Sequence, residues 1–291
     1  MFYCHPLEES PFGLSKNDTL QMRKIMKRIP EYMKLTIARD GGKKFKVGSH
    51  DQTMWDNRSN IKLLTPIIDK LLSKTLSDEW LEKCFYLLKV QCCQKGREFL
   101  NKYEKLEVFK PNINDCKNGL TKEAYFHSDE EFISKILPWL ASNNRKLFGE
   151  LRSKNPRTLY ILPRFHFSYM NPGSYIYPHL DDSRKLLSMM LYLPNMQQKN
   201  IKQLSTLFHQ GGNLTLNLDK EGKPTKDDLF QFNNTYEITN APFSDVNLIV
   251  FARSKSSWHS VEYPANLALG TRMSININFE INHQDRIARG L

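Results

Sequence analysis

Arg272-Met-Ser-Ile-Asn-Ile-Asn-Phe279 closes a series of short runs that decides how this chain folds. On a strand, side chains at i and i+2 point to one face, so Arg272 and Ser274 share a face and Met273 takes the other. Working back along the chain, similar runs are Val246-Asn-Leu-Ile-Val-Phe251, the period-two Asn213-Leu-Thr-Leu-Asn-Leu218, and Leu186-Leu-Ser-Met-Met-Leu-Tyr-Leu193. Phe165-His-Phe-Ser-Tyr169 and Thr158-Leu-Tyr-Ile-Leu162 precede them, short and rich in aromatic and β-branched residues. Turn signals such as Pro194-Asn195 and Asp219-Lys-Glu-Gly-Lys-Pro224 stop these runs. Short strands separated by turns predict a sandwich or barrel.

Before about residue 155 the texture is different. Ile61-Lys-Leu-Leu-Thr-Pro-Ile-Ile-Asp-Lys-Leu-Leu72 and Glu79-Trp80-Leu81 through Leu88 place apolar groups at three- and four-residue intervals, which predicts helices. Ser128-Asp-Glu-Glu131 reads as a capping box leading into another. The expected organisation is a mainly helical region over 1–155 packed on a barrel over 156–291. The helices fit a role as buttresses of the barrel or as a cap over its mouth, and Trp55, Trp80 and Trp139 are expected in the core.

Composition narrows the class. With 40% hydrophobic and 25% charged residues the chain reads as an ordinary globular protein. No apolar run approaches the roughly 20 residues that span a bilayer. The start, Met1-Phe-Tyr-Cys-His-Pro-Leu-Glu-Glu9, has no basic leader or apolar stretch, so a cytosolic protein is expected. Five cysteines with no Cys-x-x-Cys pair indicate neither a disulfide framework nor a thiolate zinc site. The formal charge of +11 would suit nucleic acid or anionic small molecules. Its clusters, Arg23, Lys24, Lys27, Arg28 and Lys43, Lys44, Lys46, belong to no recognisable nucleic-acid module.

The chemistry is concentrated in His179-Leu180-Asp181, the distal His259, and Arg272. Two imidazoles and a carboxylate can hold a non-haem Fe(II) on one face and leave three positions open. His179 and Asp181 would reach one cavity from a strand, His259 from a turn after Asn247–Phe251, and Arg272 with Ser274 from the last strand. Other histidines have weaker context. His127-Ser-Asp129 repeats the tripeptide at a helix start, where Ser128 and Asp129 are better read as caps. His50-Asp51 lacks the spacer, and His166 fits a structural role.

These surroundings resemble the 2-oxoglutarate- and Fe(II)-dependent dioxygenases, especially their prolyl-4-hydroxylase-like branch. The matching segments are Asn171-Pro-Gly-Ser-Tyr-Ile-Tyr-Pro-His-Leu-Asp181, Leu191-Tyr-Leu-Pro194, Gly211-Gly-Asn-Leu-Thr-Leu216, Asn247–Phe251, Ser257-Trp-His-Ser-Val261 and Gly270-Thr-Arg-Met-Ser274. The resemblance covers about Thr158 to Ile281 and implies an α+β protein built on a double-stranded β-helix, the jelly-roll or cupin-like core. It implies His179, Asp181 and His259 as iron ligands, with Arg272, Ser274 and Tyr169 contacting 2-oxoglutarate. It further implies dioxygen as oxidant, ascorbate as an admissible reductant, and hydroxylation of a C–H bond with release of succinate and CO2. A peptidyl side chain, an amino acid or a sugar-containing metabolite would each suit as substrate. Collagen-type prolyl hydroxylases carry lysine where Arg272 stands, so proline is not implied as the target. Halogenating relatives carry a small residue in place of Asp181. Nucleic-acid dealkylases of the family carry a second arginine where this chain has Asn278. Two other readings are an inactive barrel acting as a binding module, and a metal barrel that uses no 2-oxoglutarate, in which Arg272 would have little to do.

Overall fold

The computed structural model describes residues 2–6, 14–32, 36–37, 44–48, 78–108, 152–181, 185–199, 201–211, 235–244, 247–254 and 257–281. The helix expected at 61–72, the Ser128 capping box, the run 213–218, Trp55, Trp139, His50 and His127 lie outside these residues.

Eight strands form the core: β5 (Thr158–Met170), β6 (Tyr175–His179), β7 (Lys185–Tyr192), β8 (Thr206–Gly211), β9 (Thr235–Ala241), β10 (Asn247–Ala252), β11 (Trp258–Glu262) and β12 (Arg272–Glu280). In space they form two sheets, β10-β7-β12-β5 and β6-β11-β8-β9, with all these pairings antiparallel. Successive strands pass from one sheet to the other except at the β8–β9 pair. That order is a jelly roll.

The runs 158–162 and 165–169, expected as separate strands, form the single strand β5. Pro163 lies between the stretch paired with β4 (Lys105–Val108) and the stretch paired with β3 (Lys44–Gly48), so neither ladder needs its missing N–H. β8 and β9 add to the expected strands, and Thr206-Leu-Phe-His and Thr235-Tyr-Glu-Ile-Thr carry the β-branched and aromatic signal for them.

The first half contributes strands as well as helices. β1 (Phe2–Pro6) pairs with β10, and β3 pairs with β5 and with β2 (Thr36–Ile37). The larger sheet therefore runs across the division expected near residue 155. α1 (Lys16–Tyr32) starts at a reciprocal cap: Ser15 N–H donates to Asp18 Oδ2 at 2.8 Å and Asp18 N–H to Ser15 Oγ at 3.2 Å. α2 (Asp78–Gln91) and α3 (Gln94–Leu100) follow. Helix α2 packs on β4, β7 and β10, burying Trp80, Leu81, Phe85 and Leu88, and Gln91 Oε1 accepts the N–H of Ala252 at 3.0 Å. No helix among the described residues is long and apolar enough to cross a membrane. Cys84 and Cys92 are buried and Cys93 is exposed, and none of the three is in a disulfide.

Between the sheets lies an apolar cluster that includes Met170, Tyr192, Phe208, Phe243, Ile249, Phe251 and Val261. It fills one part of the barrel, and the candidate site occupies another.

Candidate metal centre

Asn171-Pro172-Gly173-Ser174 connects β5 to β6. Ser174 N–H donates to Asn171 O at 2.9 Å and Gly173 has φ of 83°. Proline at the second turn position and a positive-φ glycine at the third define a type II turn. A side chain at Gly173 would be strained by that φ, and Gly173 N–H also ties the turn to Tyr263 O at 2.6 Å. The turn launches β6, whose last residue is His179.

His259 is the second residue of β11, not part of a turn as expected, and it pairs directly with His179 across the β6–β11 ladder. Directly opposed residues on neighbouring strands bring their side chains together. Their ring centroids are 4.3 Å apart. Asp181, two residues beyond His179, completes the group. One donor atom from each of His179, Asp181 and His259 lies within 4.8 Å of the others, and His259 Nε2 is 4.0 Å from Asp181 Oδ2. Asp181 and His259 are buried and His179 is half-buried.

Hydrogen bonding orients His259. Its Nδ1 is 3.0 Å from Ser257 O, and a carbonyl only accepts, so Nδ1 carries a proton and Nε2 is the nitrogen turned towards Asp181. Burial alone would raise the Asp181 carboxyl. Lys185, His259 and His179 outweigh it and hold the carboxyl well below the usual range. Lys185 Nζ donates to Oδ1 at 2.5 Å, Ser188 Oγ donates to Oδ2, and Arg253 Nε donates to the Asp181 carbonyl at 3.1 Å. The Ser188 hydroxyl has one proton and gives it to the carboxylate. The Asn278 amide, 3.2 Å from Ser188 Oγ, satisfies that oxygen only if its NH2 end faces it. The result is a chain of donation from Asn278 through Ser188 to Asp181.

The three donors line a cavity of about 70 Å³ with Lys185, Ser188, Asn276 and Asn278, room for water or a small ligand. Two imidazole nitrogens and a carboxylate oxygen, clustered and held by outer hydrogen bonds, would fit a divalent transition metal with open positions once the ligating nitrogens are deprotonated.

Arg272 and Ser274 have the same parity on β12 as Asn276 and Asn278 but do not reach this lining. The guanidinium is drawn elsewhere: Nε donates to Leu204 O at 3.0 Å, Nη1 lies 3.7 Å from Met170 Sδ, and Phe243 stacks 4.4 Å from its centre. Nη2 is buried without a partner. Burial lowers the Arg272 pKa, and the neighbouring Tyr192 acts against that shift. Ser274 Oγ donates to Asn276 Oδ1 at 3.4 Å.

Tyr169 corrects the sequence expectation. It pairs with Met273, so it lies on the opposite face of the sheet from Arg272, and its hydroxyl donates to Met26 O of α1 at 3.0 Å. The tyrosine beside the arginine is Tyr192, opposite Ser274, with its hydroxyl on the cavity-lining Thr206. Sequence reasoning also missed Lys185, Ser188 and the Asn278 contact. The only signal for Tyr192 and Ser188 was their even spacing along β7. Of the remaining histidines, His209 is buried on β8 with Nε2 2.7 Å from Ser260 Oγ, and His166 lies in β5 opposite Asn276.

No protein-family model matches the chain, and no curated protein matches it. Solved structures do align. A prolyl-4-hydroxylase from Pseudomonas putida is 12% identical over 97% of this chain and 92% of its own, with a TM-score of 0.39. The 2-oxoglutarate-dependent carbocyclase SnoK of nogalamycin biosynthesis is 9% identical over 96% and 79%, with a TM-score of 0.40. HygX from Streptomyces hygroscopicus, solved with nickel and 2-oxoglutarate, is 13% identical over 51% and 66%, with a TM-score of 0.29. At such identities the function has to be argued from the side chains themselves.

Proposed function

We infer that the protein is an Fe(II)- and 2-oxoglutarate-dependent oxygenase that hydroxylates a C–H bond. The observation that carries this reading is the convergence of His179, Asp181 and His259 on one cavity, with His259 Nε2 turned inward. Arg272 supports the co-substrate: a buried guanidinium with an unpartnered Nη2 suits a carboxylate, which such a fork binds through two parallel hydrogen bonds.

Bound iron, 2-oxoglutarate and dioxygen would supply the oxidising chemistry, with succinate and CO2 as by-products. The protein's share is placement. His179, Asp181 and His259 hold the metal on one face. Lys185 and Ser188 keep the carboxylate oriented and charged. Arg272 holds the distal carboxylate of the co-substrate, with the Tyr192 hydroxyl beside it in the role first expected of Tyr169. Tyr192 and Thr206 form a polar bridge between the arginine and the cavity wall. Asn278 contributes a neutral amide tied to Ser188, which suits hydroxylation better than the two-arginine pattern associated with nucleic-acid dealkylation. An amino acid, a peptidyl side chain or a sugar-containing metabolite is the proposed substrate range.

Anaerobic titration with Fe(II) and then 2-oxoglutarate, followed by succinate measurement over a substrate panel in air, tests the reading. Succinate formation that disappears in His259→Ala is the expected result. Stoichiometric Fe(II) binding with no affinity for 2-oxoglutarate would reject it in favour of a binding module.

A further inference from the structure

The basic cluster of α1 takes no part in the metal centre, yet it borders a second and more spacious cavity. A groove of about 470 Å³ runs between α1 and the segment that follows β7. Leu20, Leu193, Pro194 and Met196 give it apolar walls, and Arg23, Lys24, Lys27 and Lys199 place positive charge along it. Leu20 and Met196 are 50% and 88% exposed, an unusual position for large apolar side chains beside lysines.

Charge balance indicates what is missing. Arg23 is only 6% exposed, and its one hydrogen bond, from Nη1 to Leu193 O, uses one of five N–H donors and no countercharge. Among the described residues no carboxylate pairs with Arg23, Lys24 or Lys27. A buried guanidinium without an anion is costly unless an anion arrives from outside. Arg23 and Lys27 are four residues apart and Lys24 adjoins Arg23, so the helix presents its charges along one side. The volume falls within the range of small-molecule sites, roughly 300–1,000 Å³.

We propose that the groove between α1 and residues 193–199 binds a small amphipathic anion, an apolar body carrying a carboxylate or similar headgroup, at a site separate from the metal centre. The apolar body lies against Leu20, Leu193 and Met196. The headgroup meets Arg23, Lys24 and Lys27. This assignment does not depend on the proposed oxygenase activity.

Calorimetric titration of the full chain in EDTA, with octanoate, octanol and acetate as probes, tests it. Octanoate should bind at one site, octanol at least about tenfold more weakly, and acetate not at all. Lys24→Glu with Lys27→Glu, both on the exposed side of α1, should weaken octanoate by about tenfold or more as attraction becomes repulsion, and leave octanol unchanged. His179→Ala should leave octanoate binding intact, which separates this groove from the metal cavity. Equal affinity for octanoate and octanol, indifference to the double charge reversal in a protein of unchanged melting temperature, or absence of octanoate binding would each overturn the proposal.

Discussion

Along β12 the residues facing into the barrel, Arg272, Ser274, Asn276 and Asn278, are polar, and those facing out, Met273, Ile275, Ile277 and Phe279, are apolar. Of these eight only Asn276 is less than fully buried. The outward set is buried on the face that Tyr169 shares, where removal from water stabilises the fold at about 25 cal/mol per Å². The inward set works against stability, because a buried polar group without a partner costs on the order of 1–3 kcal/mol. Arg272 Nη2 and Asn278 Nδ2 have none as placed, and a flip of the Asn278 amide restores one through Ser188. Folding alone accounts for one face. The other is what the proposed metal and co-substrate would require.

Substitutions on the two faces should therefore fail differently. The largest effect belongs to the metal ligands: His259→Ala should lower activity by roughly three orders of magnitude or more and abolish stoichiometric metal binding. Its circular dichroism should match that of the parent. Loss of folded structure instead would mean that the histidine pair is a core element. Next, Arg272→Ala should weaken 2-oxoglutarate by about 30-fold or more, the scale expected when one partner of a buried charge pair is truncated, while metal affinity stays nearly constant. Equal loss of both would make the arginine structural. Ile277→Ala, farther along the same strand but on the outer face, should cost about 2–5 kcal/mol of unfolding free energy in denaturant titrations and leave KM for 2-oxoglutarate unchanged.

Within the inner face the comparison can be made finer at Ser188. If its hydroxyl holds Asp181 and is itself held by Asn278, Ser188→Ala should reduce metal affinity by about 10–100-fold, as outer-shell changes at metal sites do. Asn278→Asp should shift metal affinity the other way: a second carboxylate near Asp181 attracts a divalent cation, while it also raises the Asp181 pKa. Competition titrations against a chelator would read both.

These residues also mark what a sequence can disclose. The donor triad was legible because two of its members are two residues apart after a turn whose proline and glycine dictate its type, and the third follows an apolar strand. The jelly roll was legible because its strands alternate or are stopped by turn residues. The strands β1 and β3 were not, because each extends a sheet edge created by residues more than a hundred positions away. Register was the other obstacle. Side-chain period is two, so a single-residue uncertainty in pairing exchanges the faces. The resemblance implies Tyr169 as a co-substrate contact, but β5 pairs it with Met273, and that one fact turns it towards α1.

The two tyrosines give the smallest and most discriminating test. Tyr169 is 2% exposed, its hydroxyl bonded to a helix carbonyl, and burial pushes its pKa up. Removing that hydroxyl takes away one buried hydrogen bond, so Tyr169→Phe should lower stability by about 1 kcal/mol with no change in KM for 2-oxoglutarate. Tyr192 is equally buried, but its hydroxyl meets Thr206 at the cavity wall and its ring lies 5.0 Å from the Arg272 guanidinium. Tyr192→Phe keeps the ring and its packing, so it should raise KM for 2-oxoglutarate by a few-fold, about what one neutral hydrogen bond is worth. The sheet register requires these two phenotypes to separate. If Tyr169→Phe raised KM while Tyr192→Phe left it alone, the inner and outer faces of the larger sheet would have to be exchanged, and Arg272 would face the helix.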